Sequence, residues 1–335
     1  MAETLITCEL DFDAPGKHAG FLRLPHSVHR SAYGWIGVPI VCINNGVGPT
    51  LLLMGGNHGD EYEGQTALTR LARDLQADDI RGRLIILPMA NFPAAEAGTR
   101  TSPVDQGNLN RAFPGDAYGT PTWVIAHYIE EVLMGLADYA IDLHSGGSSL
   151  YYPPTLLRGM GQTPQETARL HSLQTAFDLP YAWIFTSGGG ATSTGRTAMA
   201  AANRKGVTSV LAELGGGGAL DSGILAQTLR GLRRVLHALE MLPGYEPDAA
   251  NGTREMNSLG LIHAYDSGLF ELFGDVGDTV REGQEIGQIH FPDTPLRDPV
   301  AITTPWSGTI LCKRFNARVA RGDALAQIAA DVTGS

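Results

Sequence analysis

Apolar and polar positions change period along this chain, and the changes mark out its elements. Residues 1 to about 45 carry two β-branched runs, Thr4–Leu10 and Val38–Ile43, bounded by Gly, Asn and Pro. They predict short antiparallel strands at the edge of a sheet. From residue 50 onward, continuous apolar runs alternate with stretches of helical spacing. The runs are 51–55, Arg83–Met89, the segment ending at His144, Ala182–Phe185 and Val207–Leu214. Helices are expected over 61–75, where Leu68, Leu71, Ala72 and Leu75 repeat on one face, and over 121–136, 164–177, 194–205 and 222–241. Strands that are apolar at every position are buried on both faces. The alternation therefore predicts an α/β fold, a mostly parallel sheet flanked by helices. Ligands in such sheets bind at the carboxyl ends of the strands. The long stretch from Asn91 to Gly119 breaks the rhythm and is expected to be a functional loop.

The pattern changes again at Pro243–Thr253, where Pro, Gly, Asp and Asn form a linker signature. Beyond it lies a small all-β unit with an internal repeat. Ser267-Gly268-Leu269-Phe270, Val280–Ile286 and Gln288-Ile289 return about forty residues later as Ser307-Gly308-Thr309-Ile310, Val319–Leu325 and Gln327-Ile328. Two such halves suggest a small sandwich with approximate two-fold symmetry. The expected division is a catalytic domain over 1–245 and a β-rich domain over 250–335.

Charge and cysteine usage narrow the function classes. A net charge of -11 over 335 residues argues against binding nucleic acid or an anionic membrane surface. No apolar run is long enough to span a bilayer. The start, Met-Ala-Glu-Thr, lacks a basic and apolar leader, so a cytoplasmic protein is expected. Three cysteines, Cys8, Cys42 and Cys312, suit a reduced compartment and read as buried structural thiols.

Candidate chemistry collects where strands end. Leu51–Met54 runs into Gly55-Gly56-Asn57-His58-Gly59-Asp60-Glu61, placing His58 and Glu61 at i and i+3. A helical turn starting there would bring both to one side, as two of three zinc ligands. His144, at the end of another apolar strand and before Ser145-Gly146, is the candidate third. Asp142 shares its face and either orients a ligand histidine or makes a structural bond in the sheet. In the long stretch, the planar fork of Arg111 suits a carboxylate. Glu213 lies in an apolar strand before four glycines. Burial there would raise its pKa towards neutrality, as a general base needs. Those glycines lack the residues of a phosphate-binding loop.

Together, His58-x-x-Glu61, His144, Asn110-Arg111 and Glu213 resemble the succinylglutamate desuccinylase/aspartoacylase family, which shares its fold with the zinc carboxypeptidases. The resemblance covers essentially the whole chain. It implies one zinc ion held by His58, Glu61 and His144, with Glu213 as the base that activates water. It further implies that Asn110 and Arg111 hold the substrate's carboxylate and that Arg100 polarises the scissile carbonyl. Within the family, residues 98–116, Thr194-Gly195-Arg196-Thr197 and Ala212–Gly218 look most like the branch that deacetylates N-α-acetyl-L-2,4-diaminobutyrate in ectoine breakdown. Arg196 is accordingly a candidate substrate contact. Other acyl-amino-acid hydrolysis and non-catalytic metal or small-molecule binding are the alternatives. The C-terminal unit resembles a biotinyl/lipoyl-type sandwich without the modifiable lysine, so a packing or oligomerisation role is expected for it. A small N-acyl amino acid is the expected partner, with a homodimer as the default assembly.

Overall fold

The computed structural model describes residues 3–185 and 195–332. In chain order the elements are β1 (Thr7–Cys8), β2 (Gly16–Pro25), β3 (Trp35–Asn45), β4 (Thr50–Gly55), α1 (Tyr62–Asp74), β5 (Gly82–Leu87), α2 (Phe92–Ala97), α3 (Pro121–Tyr128) and α4 (Met134–Leu136). Next come β6 (Tyr139–His144), β7 (Leu150–Arg158), α5 (Pro164–Phe177), β8 (Tyr181–Ile184), α6 (Ala198–Lys205), β9 (Thr208–Gly216) and α7 (Ser222–Ala238). The remainder is all strand: β10 (Arg254–His263), β11 (Gly268–Leu272), β12 (Thr279–Val280), β13 (Glu285–His290), β14 (Val300–Thr303), β15 (Gly308–Arg314), β16 (Arg318–Val319) and β17 (Ala324–Asp331).

Thirteen strands join in one sheet, ordered β1-β2-β3-β5-β4-β6-β9-β7-β8-β10-β17-β15-β12. Its centre, β5-β4-β6-β9, is parallel, while β1, β2 and β3 are antiparallel at one edge and β7 is antiparallel to β9. The sheet is thus mixed: the central parallel strands carry the candidate site, and a second parallel stretch, β7-β8-β10, lies beyond the antiparallel β9–β7 pairing. Successive residues of β4 explain its unbroken apolar run. Leu51 and Leu53 enter a core shared with α1, α5 and α7, whereas Leu52 and Met54 enter a second core on the other face, with α3 and α6.

Several expectations change, among them the extent of the first strand, which is only Thr7–Cys8, and β2, which goes unread. The helix read over 121–136 is interrupted by a π-helical turn, Ile129–Leu133, between α3 and α4. The stretch Asn91–Gly119, read as one long loop, contains α2 and a 3-10 turn, Leu109–Arg111. β7 goes unread because Pro153-Pro154 lies within it. The strand accommodates them where its register against β9 shifts between Tyr152 and Thr155.

The repeated halves at the C-terminal end interlock. β12 of the first half pairs with β15 of the second, and β16 of the second pairs with β11 of the first. A core of their own, including Phe270, Ile289, Ile310 and Ile328, fills the space between them. These strands also continue the main sheet. β10 runs parallel to β8, and β15 pairs with β7 through Lys313↔Tyr151 and Arg314↔Leu150. The second contact closes β7, β8, β10, β17 and β15 into a ring.

Candidate functional site

The site assembles at the carboxyl ends of β4, β6 and β9. Gly56, at a φ of +65°, turns the chain out of β4. Gly59 then lies so close to α2 that an added Cβ would stand 1.9 Å from Ala94 O. Its N–H donates to Thr99 O at 2.9 Å. The i, i+3 pair therefore sits in a docked turn, not in a helix: α1 begins only at Tyr62, with Glu61 at its N-cap. The next strand over supplies His144.

Glu61 lies between the two imidazoles. Its Oε1 is 2.7 Å from His58 Nδ1 and its Oε2 is 2.9 Å from His144 Nδ1. Ser145 N–H also donates to Oε2, at 3.2 Å. The outer nitrogens have separate partners: His58 Nε2 meets Asn108 Oδ1 at 3.2 Å, and His144 Nε2 meets Asp142 Oδ2 at 2.8 Å. Asn57 Nδ2 donates to that same Asp142 oxygen at 3.0 Å. Both rings thus turn Nδ1 inward. The ligand atoms of His58, Glu61 and His144 lie within 4.8 Å of one another, all three residues are buried, and the group could hold a metal ion. Two imidazoles and one carboxylate, with outer nitrogens already bonded, form a donor set that suits zinc.

Electrostatics follow from this packing. Burial lowers the pKa of His58 and outweighs the pull of Glu61. At His144 burial acts the same way, but the carboxylates of Asp142 and Glu61 win and push the pKa well up. Glu61 is itself buried, yet the imidazoles of His58 and His144 hold its pKa down. Glu213 stands opposite His144 in the β6–β9 register. Burial, with the charge of Glu61 adding to it, raises its pKa to about 8. Its Oε2 is buried without a hydrogen-bond partner. An acceptor left open beside the inward nitrogens is available to a ligand.

One cavity of about 360 Å³ is lined by His58, Glu61, His144, Glu213, Arg100, Asn110 and Arg111, together with Ser145, Tyr152 and Arg314. Arg100 Nη1 reaches to 3.4 Å from His58 Nδ1 and 3.5 Å from Glu61 Oε1. Arg111 Nη1 donates to Asn110 O at 2.7 Å, on the 3-10 turn that carries both residues. Of the candidates, Asp142, which sits behind His144, and Arg196 lie outside this wall. Arg196 is exposed, one residue before the Thr197 cap of α6, and Thr194 lies outside the described residues. From the described residues of this segment, the Ala198 N–H reaches the site wall and donates to Asn110 Oδ1 at 2.9 Å.

Sequence reasoning missed Asn108 and Arg314. Asn108 had a signal, being two residues before Asn110. Arg314 had none, because it reaches the cavity only through the β7–β15 pairing. Its guanidinium is held by Asn316 O, Arg318 O and the Asp323 carboxylate. Ala324 lines the cavity as well, so the C-terminal strands build part of the site wall. Packing or assembly alone is too small a role for them.

Residues 47–239 match the succinylglutamate desuccinylase/aspartoacylase catalytic domain. The chain is 40% identical over 327 residues to the N-alpha-acetyl-L-2,4-diaminobutyric acid deacetylase of Halomonas elongata, covering 97% of this chain and 94% of that one. Among solved structures, the product-bound ectoine utilization protein EutE (DoeB) of Ruegeria pomeroyi superposes with a TM-score of 0.92 at 35% identity, covering 98% and 100% of the two chains. A succinylglutamate desuccinylase from Silicibacter sp. TM1040 gives 0.93 at 36% identity, covering 99% and 100%. With the catalytic-domain match spanning more than half its length, and the Halomonas relative matching nearly all of it, this protein belongs to the succinylglutamate desuccinylase/aspartoacylase family.

Proposed function

We propose that the protein is a zinc-dependent deacetylase that converts N-α-acetyl-L-2,4-diaminobutyrate to L-2,4-diaminobutyrate and acetate in ectoine breakdown. The observation that carries the chemistry is the buried Glu213 carboxylate, its Oε2 without a hydrogen-bond partner, in one cavity with the His58–Glu61–His144 donor set. The substrate is taken from the names of the Halomonas and Ruegeria relatives.

In this reading His58, Glu61 and His144 would hold the zinc ion. The chemistry it supplies when bound is Lewis acidity, for water activation and for the developing oxyanion. Glu213 accepts the proton of the attacking water and returns it to the leaving amine. Arg100 donates to the acetyl oxygen as negative charge grows there. Asn110 and Arg111 hold the α-carboxylate and fix the amide bond relative to Glu213. The proposal also takes residues 1–245 as the deacylase domain, with its zinc-carboxypeptidase-like sheet, and 250–335 as a sandwich domain. It includes a homodimer in the cytoplasm.

One observation favours a second reading. Arg314 brings a third arginine to a cavity that already contains Arg100 and Arg111. A further guanidinium on the wall suits an acyl-amino acid with a second carboxylate, as in succinylglutamate. The test for both is amine release from a panel of N-acyl amino acids, with chelator and with zinc added back. Chelator-sensitive release from acetyl-diaminobutyrate above all others is the expected result. Preferred release from succinylglutamate or acetylaspartate would replace the substrate, and no release at all would leave a binding protein.

A further inference from the structure

The side-chain amide of Asn110 has its orientation chosen for it. Its Oδ1 accepts from Ala198 N–H, and a backbone N–H can only donate. The oxygen must therefore face α6, which leaves the Nδ2 donor end for the cavity that Asn110 lines. That is the end a carboxylate requires. Ala198 is the first residue of α6, and its N–H is one of the donors that a helix start leaves without an intrahelical partner.

Arg204, in the last turn of α6, ties this helix start down. Its Nη1 donates to Gly195 O at 2.6 Å. Its Nε and Nη2 donate to the two oxygens of Glu130 at 2.9 and 2.8 Å. Glu130 sits in the π-helical turn Ile129–Leu133, with a side chain only 3% exposed. One guanidinium thus joins three places: the π turn, the Gly195 turn and the body of α6. A forked pair of this kind fixes direction as well as distance. Neither Glu130 nor Arg204 lines the cavity.

We propose that the Glu130–Arg204 pair positions the substrate's carboxylate site. It holds residues 195–198 where Ala198 N–H sets the Asn110 amide with its donor end inward. The π turn has a reason on this account, since an extra residue in a helix re-aims the side chains around it. The proposal rests on reading Asn110 and Arg111 as the carboxylate clamp.

The test is a binding titration on the full-length protein, comparing N-acetylglycine with N-acetylglycinamide, which lacks the carboxylate. No turnover is needed, so an error in the substrate assignment leaves the measurement readable. Glu130→Gln and Arg204→Lys are expected to reduce the preference for acid over amide by about tenfold, the scale of one hydrogen bond to a charged group. Arg204→Lys keeps the positive charge but loses the fork, so it reads out even if Glu130→Gln folds poorly. A lowered melting temperature with the preference intact would make the pair merely structural and overturn the proposal. A wild type that binds acid and amide equally would overturn the clamp reading, and the positioning role with it.

Discussion

His144 and Glu213 stand opposite each other on adjacent parallel strands, the last residue of β6 beside the sixth residue of β9. A one-residue slip would send Glu213 to the other face of the sheet, so hydrogen-bond register fixes the carboxylate's place as firmly as any side-chain contact. Glu213→Gln keeps the shape and removes the ability to accept a proton. Turnover is expected to fall by about 10²- to 10⁴-fold, with bound metal unchanged by elemental analysis. Undiminished turnover would remove Glu213 from the mechanism.

The outer partners of the two histidines differ: a carboxylate for His144 and a neutral amide for His58. Asp142 Oδ2 also receives Asn57 Nδ2, so the oxygen that meets His144 is fixed by a second bond. Replacing Asp142 with Asn turns a charge-assisted bond into an ordinary one. Zinc affinity measured against a competing chelator should drop by about 10- to 100-fold. Equal affinity in the variant would mean that the Asp142–His144 contact serves the sheet and not the metal group.

How legible this was depended on the range of the interaction. His58, Glu61 and His144 could be read because each follows an apolar strand at its carboxyl end, where local pattern and topology agree. β7 could not, because Pro153-Pro154 argues against a strand and only the register shift opposite β9 admits it. The π turn is equally hidden, since residues 121–136 keep enough helical spacing to look continuous. Arg196 is read from the Thr-rich turn Thr194-Gly195-Arg196-Thr197 and is exposed, whereas the contact that the described part of this segment makes to Asn110 comes from a backbone N–H, which no side-chain reading can find.

Arg314 makes the C-terminal strands part of the reaction vessel. Phe315 N–H donates to Ser149 O at 2.9 Å and Asn316 Nδ2 to Ser148 O at 2.8 Å, so this wall is bonded directly to the loop after His144. Arg314→Ala leaves the metal group and Glu213 in place. A KM raised by about tenfold with kcat nearly unchanged is expected, the sign of lost uniform binding. Unchanged KM for every substrate in the panel would assign Arg314 to the Asp323 pairing alone.

Asp178, which does not line the cavity, offers a test of stability. It ends α5 in the left-handed conformation at a φ of +56°. Its carboxylate accepts the N–H groups of Asn251 and Gly252 at 2.9 to 3.1 Å, and Arg230 Nη2 at 2.9 Å. Burial alone would raise its pKa, but the Asn251 N–H and the Arg230 guanidinium outweigh it and hold the pKa below the ordinary carboxylate value. A folded-state pKa below the unfolded one contributes stability that is present in full above the unfolded value, about 3.9, and is lost as pH falls through the folded pKa. Asn tolerates the left-handed conformation, so Asp178→Asn isolates the charge. Urea midpoints should place the variant below wild type at pH 7, with the gap closing below about pH 4 as the wild-type carboxylate protonates. A gap that stays constant from pH 7 to pH 3 would mean that the packing of Asp178, and not its charge, holds the 178–252 junction together.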